Sequence, residues 1–229
     1  MKLLAFETAT EACSVALWID GEVRERFELA PRRHAELALP WAQALLADAG
    51  IARAQLDAIA VGRGPGAFTG VRLAIAIAQG IALALDRPVV PVSTLQALAM
   101  QAPGERILAA IDARMGEIYL GGFVRDAGGL RLLGNEAVLR PGAAEVEGDG
   151  WHGVGTGFAA ADAALQARLH PQLAAVDATA LPHAADVARL AALAFARGEV
   201  VAAERAEPAY LRDNVALTLV EQQALRASR

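Results

Sequence analysis

The sequence predicts an α/β fold built on mixed sheets, and three observations carry that prediction. The chain opens on three strand-like segments joined by short turns. Strands and helices alternate from residue 57 onward. After Pro103-Gly104 the chain starts again with strands and returns to alternation, an order that belongs to helices packed on mixed sheets. With 229 residues the chain is long enough for one large domain or two lobes of roughly 100 residues each. Pro103-Gly104 is the natural boundary, giving lobes 1–102 and 103–229.

Residues 2–7 (KLLAFE) and 12–19 (ACSVALWI) read as buried strands, and 22–29 (EVRERFEL) alternates as a half-exposed strand does. Asp20-Gly21 is a two-residue hairpin turn. Residues 34–49 are helical in composition and stop at Gly50, with Pro40 as a kink or a late start. A strand at 57–61 leads into a glycine loop at 62–70 (GRGPGAFTG). Residues 71–85 alternate at first, but their length and alanine content favour a helix. A strand follows at 88–92, then a helix capped by Ser93. The second half offers strands at 106–112, 116–124 and 130–139, and a strand with a glycine turn at 151–157. Helices are expected at 158–169 and 183–197, with a helical tail at 214–228.

Composition narrows the function. The chain carries a net charge of −5, one lysine (Lys2) and one tight cationic pair, Arg32-Arg33. RNA or DNA binding by this chain alone is therefore not expected, since it needs clustered cations to displace counterions. Cys13 is the only cysteine, so no intrachain disulfide forms and a reducing cytoplasm fits. The longest apolar stretch, Leu73 to Leu85, has 13 residues, short of the ~20 that a span needs, and no signal peptide pattern precedes it. Alanine is unusually abundant at 55 residues, and it concentrates in the helices.

Catalytic machinery is thin. Ser14, Ser93 and Ser228 are the only serines and none lies in G-x-S-x-G. His34, His152, His170 and His183 lie too far apart for a His-x-x-x-His metal site, so no metal is expected. Cys13 reads as a small core residue, and His34 as a capping or solvent-facing group within reach of Glu36. Asp112-Ala-Arg114 is either a strand-end ion pair or a ligand contact.

The loop at 62–70 is the strongest local signal. Gly62-x-Gly64-x-x-Ala67 formally matches a dinucleotide fingerprint, but Pro65 removes an N–H that should cradle the pyrophosphate. Asp86 precedes the next strand instead of ending it, and no lysine follows Gly70 to make a Walker A loop. A packing loop or a family-specific contact loop (Gly64, Pro65, Gly66, Phe68, Thr69, Gly70) remains. Glu7-Thr8-Ala9-Thr10 is placed as a magnesium and phosphate loop would be, with a simple hydroxyl-bonded turn as the alternative. Helix 71–85 has no polar face beyond Arg72 and Gln79, so it must be covered on every side. Together with Leu37, Trp41 and Leu45 of the preceding helix, Arg72, Ile75, Ile77 and Gln79 mark an expected subunit interface, with packing inside the lobe as the alternative.

Six segments, Phe6–Leu17, Arg33–Glu36, Gly64–Arg72, Val92–Leu95, Ile111–Met115 and Pro208–Arg212, together resemble the TsaB (YeaZ) family of tRNA threonylcarbamoyladenosine biosynthesis proteins. The resemblance spans nearly the whole chain and is densest over residues 3–120. It implies a two-lobed actin-like (ASKHA, ribonuclease H-like) fold with mixed sheets. It also implies a cytoplasmic, non-catalytic subunit that binds and activates TsaD, the enzyme that transfers threonylcarbamoyl to the adenosine beside the tRNA anticodon. TsaE, an ATPase, is the further partner, and tRNA is met only through the complex. Alone, such a chain pairs with itself through the N-terminal lobe. No cofactor is implied for the isolated chain, with ATP, ADP or an adenylate belonging to the complex.

The transferase holds its metal with two histidines four residues apart, and the matching positions here are Thr94 and Leu98. Where the family's first strand ends in Asp, this chain has Glu7, so Glu7, Thr8 and Thr10 are at most a vestige of a nucleotide contact. The rival is an ATP-dependent small-molecule kinase or peptidase of the same superfamily, with nucleotide held between Glu7, Thr8 and the Gly153–Gly157 turn. It would show itself by tight Mg-ATP binding with hydrolysis.

Overall fold

The computed structural model describes residues 1–127 and 129–212. β1 (Lys2–Glu7), β2 (Ala12–Ile19) and β3 (Glu22–Leu29) form the expected antiparallel meander. Asp20 and Gly21 both take positive φ in its turn, the conformation that matches strand twist. β4 (Ala58–Gly62) and β5 (Val89–Val92) add in parallel beside β1, giving the order β3-β2-β1-β4-β5.

β6 (Arg106–Arg114), β7 (Glu117–Asp126), β8 (Gly129–Leu139), β9 (Trp151–Val154) and β10 (Leu173–Asp177) form a second sheet in the order β10-β9-β6-β7-β8. In each sheet the first strand is central, with an antiparallel meander on one side and two parallel strands on the other. The two halves thus share one topology, the actin-like arrangement of two mixed sheets. β10 escaped the sequence reading because Leu173-Ala-Ala-Val-Asp177 is short, alanine-rich and mostly exposed.

The first sheet is covered on both faces. α1 (His34–Asp48) and α2 (Phe68–Leu85) lie on one, over Leu4, Phe6, Val15, Leu17, Ile59 and Val61. Pro40 sits inside α1 without ending it. The opposite face carries Ala5, Ala16, Ala58 and Ala60, and receives α5 (Ala184–Ala196) through Ala184, Ala188 and Ala191. Part of the alanine excess is explained there, because small side chains on both partners let helix and sheet approach closely. α5 comes from the second half of the sequence. After it, Val201 bridges to Val89, and Ala203 and Ala206 join the core beneath α2. A boundary at 102/103 therefore separates the two sheets, while residues 184–206 pack with the first one.

α3 (Thr94–Ala99), capped by Ser93 Oγ accepting from the Gln96 N–H, covers one face of the second sheet with Leu95 and Leu98. α4 (Ala160–Leu169) covers the other with Leu165 and Leu169. The helix expected at 158–169 instead opens on a 3-10 turn, Thr156–Phe158, and Ala161, Asp162 and Ala163 take left-handed backbone. The helical tail expected at 214–228 lies outside the described residues.

Candidate functional site

α2 begins at Phe68, three residues before the sequence reading put it. The N-cap, Ala67, offers no side-chain hydrogen bond, so nothing in the sequence marks the start. Phe68, Thr69 and Gly70 therefore form its first turn and are not loop. The glycines ahead of it allow close approach. A Cβ at Gly66 would lie 2.4 Å from the Ala9 carbonyl oxygen, and one at Gly70 would lie 2.0 Å from the Thr8 carbonyl oxygen. Gly64 has φ +91° and accepts the Thr94 N–H at 2.9 Å. The Ala67 N–H donates to Ala9 O at 2.7 Å, and Thr8 Oγ1 to Gly70 O at 2.7 Å. Pro65 is buried between them. The glycine loop thus lies directly on the Glu7-Thr8-Ala9 turn.

That placement decides what Glu7 can do. Its carboxylate is buried under Gly62, where a Cβ would sit 1.9 Å from Oε2. Oε1 accepts the Ala9 N–H at 2.7 Å and Oε2 the Thr94 hydroxyl at 2.8 Å. Burial pushes its pKa up to about 7 despite those donors. Thr8 is fully buried, and the Thr10 carbonyl is taken by His34 Nε2 at 2.9 Å. His34 therefore bonds to backbone, and it is Arg33 that approaches Glu36. Glu7 and Thr8 are sealed from the cleft, and only Thr10 of the three reaches it.

The residues expected at a subunit interface divide into three groups. Leu45 and Ile75 are only 4% and 5% exposed and belong to the core beneath the helices. Arg72 and Gln79 turn toward the segment after α5. Arg72 donates to Phe68 O at 3.3 Å and to the Tyr210 hydroxyl at 2.6 Å, its guanidinium over both rings. Gln79 donates to Ala206 O at 3.1 Å. Leu37, Trp41 and Ile77 are half-buried at the edge of the core. The exposed large apolar side chains of these two helices are Leu39 on α1 (45% exposed) and Phe68 (63%) and Leu83 (62%) on α2, with Ala76, Gly80 and Ala84 also exposed on α2. By length and composition alone α2 is apolar enough to cross a membrane, at 18 residues and mean hydropathy 1.7. Here its inner face (Val71, Ala74, Ile75, Ala78, Ala82) is buried on the sheet.

A cleft of about 890 Å³ lies between the lobes. Thr10, Phe68 and Arg72 line one wall, Asp112, Arg114 and Thr156 the other, and residues 208–212 the rim. Arg114 and Asp112 form a strand-end ion pair at 2.9 Å, and both side chains also line the cleft. The turn offered to a nucleotide by the rival reading needs its glycines for close backbone approach, and Thr156 within it lines the cleft. Cβ atoms at Gly153, Gly155 and Gly157 would meet Phe158, Ala110 O and Ala110 Cβ at 2.4–2.6 Å. Cys13 is buried in the core, its thiol pushed up to about 11 by burial first and by Glu28 second.

Thr94 and Leu98, where the transferase histidines would fall, are both fully buried. Thr94 Oγ1 holds Glu7 and accepts the Gly64 N–H at 3.2 Å, and Leu98 lies in the core beside Leu95 and Ile107. Among the described residues no three His, Cys, Asp or Glu side chains gather as a metal site. A family model described as TsaD, tRNA N6-adenosine threonylcarbamoyltransferase, matches residues 28–219. A relative from Escherichia coli K12, named tRNA threonylcarbamoyladenosine biosynthesis protein TsaB, is 46% identical over 227 residues, covering 94% of this chain and 96% of its own. The chain belongs to the TsaB family. A TsaB from Haemophilus influenzae is 40% identical over 229 residues, covering 94% of this chain and 95% of its own. A solved structure titled YeaZ from Pseudomonas aeruginosa superposes with a TM-score of 0.84 at 49% identity, covering 92% of this chain and 99% of that one. A second, of an uncharacterized protein with similarity to peptidase YeaZ from the same organism, gives 0.86 over the same shares. The TsaB relatives match almost end to end, while the model named for the transferase begins at residue 28, after the first hairpin and most of β3.

Proposed function

We propose that this chain serves tRNA threonylcarbamoyladenosine biosynthesis as a non-catalytic subunit that binds and activates TsaD. The observation that carries the reading is the outer surface of α1 and α2. It exposes Leu39 and Leu83 around small residues, on a helix whose composition calls for cover on all sides. A helical surface from TsaD seats there, and a second copy of this chain takes the same place when TsaD is absent. Activation then comes from binding energy, by holding TsaD in its competent state. The buried Thr94 and Leu98, in place of a metal-binding histidine pair, support a chain without transferase chemistry of its own. TsaE joins the complex, tRNA is engaged through the complex, and nucleotide belongs to the complex and not to this chain alone. The setting is the cytoplasm.

The test is co-purification of the full chain with TsaD, TsaE and tRNA, followed by nucleoside analysis of the tRNA. The reading expects a stable complex with TsaD and modified adenosine only when both are present. Modification by TsaD without this chain would sink it, and so would tight Mg-ATP binding with turnover by this chain alone.

A further inference from the structure

The turn between β6 and β7 holds a feature that the docking surface does not use. Arg114, Met115 and Gly116 take left-handed backbone in succession, with φ of +63°, +56° and +73°. The two non-glycine residues there are costly to hold, and the turn lifts Met115 into solvent at 88% exposure. Its sulfur lies 3.8 Å from Arg212 Nη1. Arg212 ties the segment after α5 to the second lobe, donating from Nη2 to Ala113 O at 3.2 Å and to Glu117 Oε2 at 2.5 Å. Its Nε is buried and has no hydrogen-bond partner among the described residues.

We propose that Met115 is a peroxide-sensitive site whose oxidation tightens the Arg212 anchor. The sulfur lone pair attacks a peroxide oxygen, the O–O bond breaks, and the S–O bond forms as water leaves. The thioether is oxidised by two electrons to the sulfoxide and the peroxide is reduced. A thioether is a weak acceptor, whereas a sulfoxide oxygen is polar and accepts strongly. Placed on this sulfur, it can accept from Arg212 Nη1, which already lies 3.8 Å from the sulfur. Exposure makes the reaction selective. Of the three methionines, Met1 and Met100 are half-buried, and Met100 packs against both the α5-side core and the α3 core. The segment tightened in this way, residues 208–212, forms the rim of the cleft and contacts α2 through Arg72.

The test treats the full chain with dilute hydrogen peroxide, maps oxidation by peptide mass, and compares amide exchange before and after. Met115 is expected to be modified ahead of Met1 and Met100. Exchange across residues 208–212 should slow by about tenfold, the worth of one added hydrogen bond to a charged group. Met115→Leu, treated in the same way, should show no such slowing. Three results overturn the proposal: another methionine oxidising first, exchange at 208–212 unchanged or faster on oxidation, or equal slowing in Met115→Leu.

Discussion

Replacing Glu7 by Gln should make the protein more stable at pH 8 and slightly less stable at pH 5. The carboxyl is buried, and burial raises its pKa from 4.5 to about 7. In the unfolded chain it ionises near 4.5, so folding above that pH either binds a proton or buries a charge. Stability is fully present below pH 4.5 and is lost as pH climbs to about 7. At 1.36 kcal/mol per unit the whole loss is about 3 kcal/mol, and between about 2 and 3 kcal/mol of it falls between pH 5 and pH 8. Gln keeps the acceptor for the Ala9 N–H but faces the Thr94 hydroxyl with an amide, at a cost of about 1 kcal/mol. Urea denaturation of both proteins at the two pH values measures the difference, and subtracting one protein from the other removes every group they share. A Glu7→Gln minus wild-type difference that stays flat from pH 5 to pH 8 would show that this carboxylate is hydrated, and so available to a metal or phosphate. The sealed loop described above would then be wrong.

Gly70→Ala should destabilise by about 3 kcal/mol in a thermal melt, since its Cβ falls 2.0 Å from the Thr8 carbonyl and backbone must give way. Ile75→Asp should cost about 5 kcal/mol and yield little folded protein by circular dichroism, because it places a charge in the core beneath α2. The contact that docks the start of α5 on the first sheet should titrate. His183 Nδ1 lies 2.9 Å from Glu25 Oε2, stacked on Phe27, and the bond to Glu25 outweighs burial to raise the imidazole above its ordinary value. Burial acts to raise Glu25, but its bonds with His183, Ser14 and Ala185 together bring it below the usual range. The histidine contribution is present below pH 6.5 and lost as pH rises through the raised value. The carboxylate contribution is present above pH 4.5 and lost as pH falls through the lowered one. In an NMR titration, Glu25→Gln should bring the His183 midpoint down, and an unmoved midpoint would contradict the pairing.

The first meander was legible because buried apolar runs joined by a two-residue Asp-Gly turn leave few other solutions, whereas the order of the remaining strands carries no local signal. β1, β2 and β3 match residue for residue. The interface was less legible, for a physical reason. A helix without a polar face has no periodicity to say which side is inside, so Ile75 was assigned outward while Leu83 passed unnoticed. Arg72 and Gln79 looked like the polar edge of a docking surface. They bond to residues more than 120 positions later, a pairing that no local pattern encodes. The glycine loop stood out as a motif, but its purpose did not. Only the geometry shows that Gly62, Gly66 and Gly70 are small in order to sit on Glu7, Ala9 and Thr8.

The central claim, that this chain works by docking its α1–α2 surface on TsaD, is tested most directly by Leu83→Asp. Leu83 is 62% exposed at the far end of α2 from the cleft, so the substitution leaves the core intact. Affinity for TsaD, measured by titration calorimetry, should fall by about thirtyfold, the ~2 kcal/mol of a central apolar contact, while the protein stays folded with a melting temperature only a few degrees lower, since the new charge falls in the last turn of α2. Wild-type affinity in the Leu83→Asp protein, with wild-type tRNA modification, would contradict the account.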